Sequence, residues 1–203
     1  MARYTGPRIK KMRSLGVNLP GLSRKSMEKR PYPPGQHGKV GRRKLTEFGR
    51  RLLEKQKLRV NYGLSERQLR NLMVEARRSK LATGEKLLEL LERRLDNVVF
   101  RAGYAPTIPA ARQLVSHGHI TVNGQRVNIP SFRVKLNDNV KPREKSLKLS
   151  TVQQTLQAPT LQRPDWLEAG DDGAYLVKAL PDAGNVPFTV DIQLVIEFYA
   201  KRL

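Results

Sequence analysis

Arg51, Lys55 and Arg59 recur every fourth residue, so a helix would bring them onto one face as a stripe of positive charge. Arg67, Arg70, Arg77 and Arg78 follow in the next such segment. Guanidinium forks engage phosphate oxygens in pairs, and lysine meets them as a point charge. The chemistry these residues offer is neutralisation of a polyanion, not bond making. His117 and His119 stand two residues apart, which fits neither the i, i+4 spacing of helical metal ligands nor a catalytic triad. His37 is remote from both in sequence. No Gly-rich loop of P-loop form and no nucleophile–base pair is present. Cysteine is absent, which excludes disulfides and thiolate metal sites. The expectation is a protein without enzymatic activity, metal or cofactor.

The balance of charge points the same way. Against 18 Asp and Glu stand 39 Lys and Arg, a net charge of +21. A compact fold with that charge repels itself unless a polyanion screens it, which argues against an ordinary metabolic enzyme. The charge is also graded. Residues 1–60 hold 18 basic and 3 acidic residues, residues 61–150 hold 17 and 8, and residues 151–203 hold 4 and 7. The carboxyl end therefore has a different task from the head. No apolar run approaches the roughly 18–20 residues that span a bilayer, so no membrane partner is expected. The start, Met1 to Pro7, lacks the apolar stretch of a secretory signal, so the protein is expected to act where it is made, in the cytoplasm.

Residues 1–44 carry 13 basic residues and one acid, Glu28, punctuated by Gly6-Pro7, Pro20-Gly21 and Pro33-Pro34-Gly35. With isolated apolar residues and no regular period, they read as a basic arm that orders on a nucleic acid. Residues 45–83 read as a small helical domain. Thr46 caps a helix to about Val60, with Leu45, Phe48 and Leu52 as its buried side and Tyr62-Gly63 as its end. Few acids stand ready to pair with its cations. Ser65 and Gln68 form a capping box, with Leu64 and Leu69 as a hydrophobic staple. Leu69, Leu72, Met73 and Ala76 then share a face. At the carboxyl end, Asp191 caps a last helix, 191–203, whose Ile192, Val195, Ile196 and Tyr199 are expected to pack back on this domain.

Residues 84–190 read as a separate domain. From Gly84, an amphipathic segment keeps Leu87, Leu88, Leu91, Leu95, Val98, Val99 and Ala102 in a 3.6 period, with Gly103 as its cap. A shorter helix covers Pro109 to Ser116, with Ala110, Ala111 and Leu114 inward and Arg112 and Gln113 outward. Then the period changes to two. Ile120-Thr121-Val122 and Gln125-Arg126-Val127 flank Asn123-Gly124, the strongest short hairpin signal, because a type I′ turn needs positive φ twice. Further strands are expected near Phe132–Leu136 and at Val140. The fold class is α+β: an extended basic arm, an all-helical domain, and helices with a small antiparallel sheet.

The stretch Leu91-Glu92-Arg93-Arg94-Leu95-Asp96-Asn97-Val98-Val99-Phe100-Arg101, followed by Ala111-Arg112-Gln113-Leu114-Val115-Ser116-His117-Gly118-His119-Ile120-Thr121-Val122-Asn123-Gly124, resembles the S-four type (alpha-L) RNA-binding domain. Pro31-Tyr32-Pro33-Pro34-Gly35-Gln36-His37-Gly38 and Glu54-Lys55-Gln56-Lys57-Leu58-Arg59-Val60-Asn61-Tyr62-Gly63 resemble signatures of small-subunit ribosomal protein four in its bacterial and organellar form. Pro164-Asp165-Trp166-Leu167-Glu168 and Ile196-Glu197-Phe198-Tyr199 fit that family too. The resemblance covers nearly the whole chain. It implies a structural constituent of the small ribosomal subunit that binds 16S-type rRNA directly in its 5′ domain and nucleates assembly of the subunit body. It further implies a share in translational accuracy with the neighbouring proteins S-five and S-twelve. Some family members hold zinc with four amino-terminal cysteines; this chain has none. The site is the ribosome in the cytoplasm, or the plastid stroma if the chain is organelle-encoded.

Charge and residue type put Arg3, Arg8, Arg13, Arg50, Lys55, Lys57, Arg59, Arg67 and Arg70 on RNA phosphates. The resemblance adds Arg42, Arg43 and Lys44 beside the channel through which mRNA enters. It also adds Arg112, Gln113, His117 and His119 as RNA-facing positions. Asn123 is expected to supply backbone shape, and Tyr4, Tyr32 and His37 to stack on unpaired bases. The acidic region with Asp165, Glu168, Asp171 and Asp172, together with Ile196 and Tyr199, is expected to meet a basic protein neighbour, S-five by resemblance. Pseudouridine synthases and tyrosyl-tRNA synthetases carry domains of the same type, but each needs a large catalytic domain, and only 53 residues follow position 150. A DNA-compacting protein would share the charge but not the two-helix-plus-hairpin pattern.

Overall fold

The structure, a computed structural model, describes residues 4–40, 44–170 and 173–200. It divides into two units, Met1–Leu87 with Pro187–Leu203, and Leu88–Val186.

In the first unit, α1 (Arg8–Leu15) ends at Gly16, whose φ of 72° takes the left-handed conformation a helix stop requires. Met12, Leu15, Leu19 and Leu22 are buried together, with Val17, Leu53, Val60 and Phe188 packed on them. Their spacing of three, four and three is a helix-like apolar period that the sequence reading did not find, because Gly16, Pro20 and Gly21 interrupt it. Helix α2 (Glu47–Asn61) starts where expected, with the Thr46 hydroxyl accepting the Gly49 N–H. Its buried side differs from the expected one. Leu45 and Phe48 are about half exposed, while Leu58 is fully buried and Leu53 and Val60 meet the cluster around Met12. The packing face is set by partners remote in sequence rather than by the helix's own clearest apolar spacing. Helix α3 (Glu66–Arg77) begins with the full Ser65–Gln68 capping box and buries Leu69, Leu72, Met73 and Ala76.

Helix α4 (Thr83–Glu92) comes next; its residues are shared between the two units. The amphipathic segment read as continuous to Gly103 is broken after α4 and resumes as α5 (Leu95–Arg101). At the break Arg94 is extended. The backbone of Leu95 donates to Phe132, Asp96 donates to Pro130, and Val134 donates to Arg93. Those bonds take the place of the helical ladder, so the segment near Phe132–Leu136 contributes a single bridge, Arg94 to Arg133, in place of the expected strand. Gly103 closes α5 with φ 85°.

In the second unit α6 (Ile108–Ser116) is capped by the Thr107 hydroxyl, which accepts from Ala110. Then come β1 (Ile120–Val122), β2 (Gln125–Arg126), β3 (Asn139–Pro142), α7 (Glu144–Leu147), α8 (Ser150–Gln157), β4 (Leu167–Ala169) and β5 (Tyr175–Val177). The five strands form one antiparallel sheet in the order β2-β1-β3-β5-β4. Val122 pairs with Gln125 across a two-residue turn, where Asn123 and Gly124 have φ of 51° and 80°, as the type I′ reading requires. Ile120, Val122 and Val140 point into the core and Thr121 does not.

The last helix, α9 (Ile192–Ala200), belongs to the first unit. Asp191 caps it through its side chain, which accepts from Gln193 and Leu194. Helix α9 packs on α2, burying Val195, Phe198 and Tyr199. With nine helices and this sheet among the described residues, the class is α+β.

Candidate nucleic-acid interface

The cations divide by what they already touch. On α2 the expected stripe is drawn into ion pairs, with Lys55 buried and Arg51 and Arg59 half-buried. Arg51 Nε donates to Glu197 at 2.8 Å, and Lys55 Nζ donates to Glu66 at 2.7 Å. Arg59 stands 3.9 Å from the same Glu66. Lys55 is buried and lies 4.5 Å from the centre of the Phe198 ring, a cation–π contact. Lys57 is tied to Glu54, whose other oxygen accepts the Asp191 backbone N–H. The acids judged too few to pair with these cations are Glu66 of α3, Glu197 of α9 and, for Lys57, Glu54 of α2 itself. Burial alone would raise the Glu66 carboxyl, but hydrogen bonds from Lys55 and Tyr199 and the charges of Lys55 and Arg59 outweigh it and hold it below the usual carboxylate range. The Tyr199 hydroxyl is pushed well up by burial and by its bond to Glu66. These groups tie α2, α3 and α9 together.

Other cations of the first unit face outward. Arg67 and Arg70 project from α3, and Lys44 precedes α2. Arg50 is exposed, with a loose ion pair to Glu47 at 3.5 Å, the kind that contributes little. Arg8 donates to the Leu22 carbonyl. Arg13 is part-buried, donates to the Tyr32 and Pro33 carbonyls and lies 4.9 Å over the Tyr32 ring. It organises the loop that presents Tyr32 and the exposed His37. Tyr4 is exposed beside Lys11. Arg3, Arg42, Arg43, Asp171 and Asp172 lie outside the described residues.

In the second unit Arg112 turns inward, not outward. Its Nε and Nη2 donate to Asp96 Oδ2 at 3.1 and 2.7 Å, and Arg94 donates to both oxygens of the same carboxylate. Asp96 is fully buried. One carboxylate between two guanidinium groups fixes the start of α5 against α6, because neither charge can be left unpaired in the interior. Gln113 and His117 remain exposed on and after α6. His119 is half-buried, with Nδ1 2.9 Å from the Ser146 hydroxyl. Asn123 is engaged in its own turn: it donates to Asp138 and accepts from the Asn139 N–H. Asp165 and Glu168 are exposed, Glu168 standing 3.6 Å from Lys178. Ile196 approaches Gly84, and Tyr199 is buried on Glu66, so both serve the protein's own packing.

The structure also brings forward Arg126, Lys141, Arg143 and Lys145, which the sequence reading did not single out. Each is exposed or half-buried, and none has an ion pair among the described residues. The signal was the run Lys141-x-Arg143-x-Lys145 directly after an expected strand. Among the described residues no group of His, Asp and Glu is placed to hold a metal, and no helix is long and apolar enough to cross a membrane.

The second unit carries a helix pair leading into a type I′ hairpin, with cations at its surface, and the family match over it is to an RNA-binding domain. The family described as S4 domain matches residues 93–140, and the family described as Ribosomal protein S4/S9 N-terminal domain matches residues 3–92. The chain is 60% identical to Small ribosomal subunit protein uS4 of Methylobacillus flagellatus over 205 residues, covering all of both chains. It is 58% identical to Small ribosomal subunit protein uS4B of Nitrosomonas europaea, again over the whole of both. With the uS4 protein of Geobacillus stearothermophilus it shares 48% over 204 residues, 99% of this chain and all of the relative. The chain belongs to the uS4 family of small-subunit ribosomal proteins. It is a structural, non-enzymatic constituent of the small ribosomal subunit, working in translation as part of the cytoplasmic ribosome.

Proposed function

We propose that the chain binds small-subunit rRNA directly, in the 5′ domain, and nucleates assembly of the subunit body. In this reading residues 1–44 act as a basic arm, residues 45–83 with the last helix as a helical platform, and residues 84–190 as the RNA-binding domain. The observation that carries it is the sorting of cations. Some cations are tied within the fold by carboxylates, as Arg51 and Lys55 are, or by backbone carbonyls, as Arg13 is, while others such as Arg67 and Lys145 face water. Cations held outward on a rigid fold suit a pre-folded RNA junction, whose phosphates and 2′-hydroxyls form a fixed array. Arg50, Arg67, Arg70, Gln113, His117 and His119 are the contacts we favour among the described residues, with Arg3 on the arm. Arg42, Arg43 and Lys44 would lie near the channel through which mRNA enters. Asp165 and Glu168 are suited by charge to a basic neighbour such as S-five, and through it and S-twelve the protein would influence accuracy.

Competition at fixed salt between a 5′-domain rRNA transcript and duplex DNA tests the reading. Preference for the transcript supports it; equal affinity would mean a general polyanion binder.

A further inference from the structure

The outer face of the sheet gathers cations that no carboxylate pairs among the described residues, although Arg126 also makes a long contact, 3.5 Å, to the His117 carbonyl. Arg126 on β2 and Lys141 on β3 are both direct partners of Thr121 on β1. Directly opposed residues share a face, and Thr121 lies between the inward-facing Ile120 and Val122. Arg126, Thr121 and Lys141 therefore form one row on the face turned from the core. The row crosses two strand spacings, about 10 Å. Beside it opens a groove of about 420 Å³, lined by Thr121, Gly124, Lys141, Arg143, Glu144 and Lys145. The backbone N–H of Arg143 is held by the His119 carbonyl, and His119 bonds Ser146, so the segment that presents these cations is fixed to the end of α6.

The far half of the same face carries no such excess of cations. Asn139 pairs with Leu176, which pairs with Glu168, and Glu168 stands by Lys178. Charge is thus polarised across one sheet, cationic over β2-β1-β3 and balanced at β4. Glu144 is the one carboxylate lining the groove. Three cations gathered with so little compensation repel one another unless an anion bridges them.

We propose that this groove is an additional RNA-backbone site, in which Lys141, Arg143 and Lys145 hold phosphates and Thr121 and Arg126 flank them. It rests on the rRNA-binding reading and extends it. Thr121 and Arg126 lie within the S4 domain match, which ends at residue 140, and Lys141, Arg143 and Lys145 follow it, so the site straddles the end of that match.

The test is filter binding of full-length protein to the 5′-domain transcript across a salt series. The variants are the double Lys141→Gln/Arg143→Gln, Glu144→Gln, and Lys178→Gln as a control that removes a cation elsewhere on the sheet. The double variant should bind about tenfold or more weakly at moderate salt, and its log–log salt slope should flatten by about two, one for each phosphate no longer neutralised. Glu144→Gln should bind severalfold more tightly, and Lys178→Gln should match wild type. Circular dichroism melts establish that each variant is folded. Wild-type binding with an unchanged slope in the double variant overturns the groove alone, as does an equal loss in Lys178→Gln. Wild-type protein that ignores the transcript overturns the rRNA reading, and the groove with it.

Discussion

The α2 stripe and the outer face of the sheet carry the same kinds of residue and have opposite fates. Arg51, Lys55 and Arg59 meet Glu197 and Glu66 and become part of the first unit's packing. Arg126, Lys141, Arg143 and Lys145 meet no carboxylate among the described residues and remain available to a ligand. Density of cations alone does not mark an RNA surface. What separates the two regions is whether the fold brings a carboxylate into an ion pair with them, and on α2 two of those carboxylates, Glu66 and Glu197, come from other helices.

The largest expected effect breaks an internal tie. Asp96→Ala removes the carboxylate that Arg94 and Arg112 share in the interior and should destabilise the protein by about 3–5 kcal/mol, read by urea unfolding. A loss under about 1 kcal/mol would mean that the two guanidinium groups reach solvent. Next, Lys55→Ala and Arg67→Ala should cross over. Lys55→Ala should lower stability by about 1–2 kcal/mol, below the full worth of a buried charged hydrogen bond because Glu66 is partly open to water. The affinity of its folded fraction should be unchanged. Arg67→Ala should leave stability within about 0.5 kcal/mol and flatten the salt slope by about one. Both variants behaving alike would erase the distinction between tie and contact.

Smaller effects sharpen the picture of the α2–α3–α9 tie. The Glu66 carboxyl is lowered in the folded state from a value of 4.5. Its contribution is therefore present above about pH 4.5 and is lost as pH falls below it. Glu66→Gln should remove that part of the acid-side slope in a pH series of unfolding midpoints; an unaltered slope would locate it elsewhere. Tyr199 is raised from 10.0, so its contribution holds below pH 10 and is lost as pH rises above it. Tyr199→Phe should flatten the alkaline limb. Smallest, Thr46→Ala removes the acceptor for Gly49 and should cost about 1 kcal/mol, seen as a lower melting temperature.

Local signals were legible in the sequence because their physics is local. Thr46, the Ser65–Gln68 box, Gly103 and the Asn123-Gly124 turn each act within a few residues, and each appears where it was read. What escaped was set over distance. Arg51 and Glu197 are 146 residues apart, and Asp96 and Arg112 are 16 apart, so neither pairing shows in a window. The break between α4 and α5 depends on carbonyls at 130 and 132 that the local period does not see. Strands β4 and β5 are three residues each, as short as β1, but no Asn-Gly turn joins them to mark them as a hairpin. The same limit explains why the carboxylates that hold Lys55 and Arg112 were not foreseen, while Lys141 and Arg143 drew no notice.

The central claim is that surface cations left uncompensated by the fold hold a folded RNA through its phosphates. Filter binding of the wild-type protein to the rRNA 5′-domain transcript between 50 and 200 mM salt tests it most directly. For roughly 6–10 phosphates engaged, affinity should fall on the order of a thousandfold or more across that range, by the duplex-DNA calibration. An affinity that stays flat with salt would contradict the account.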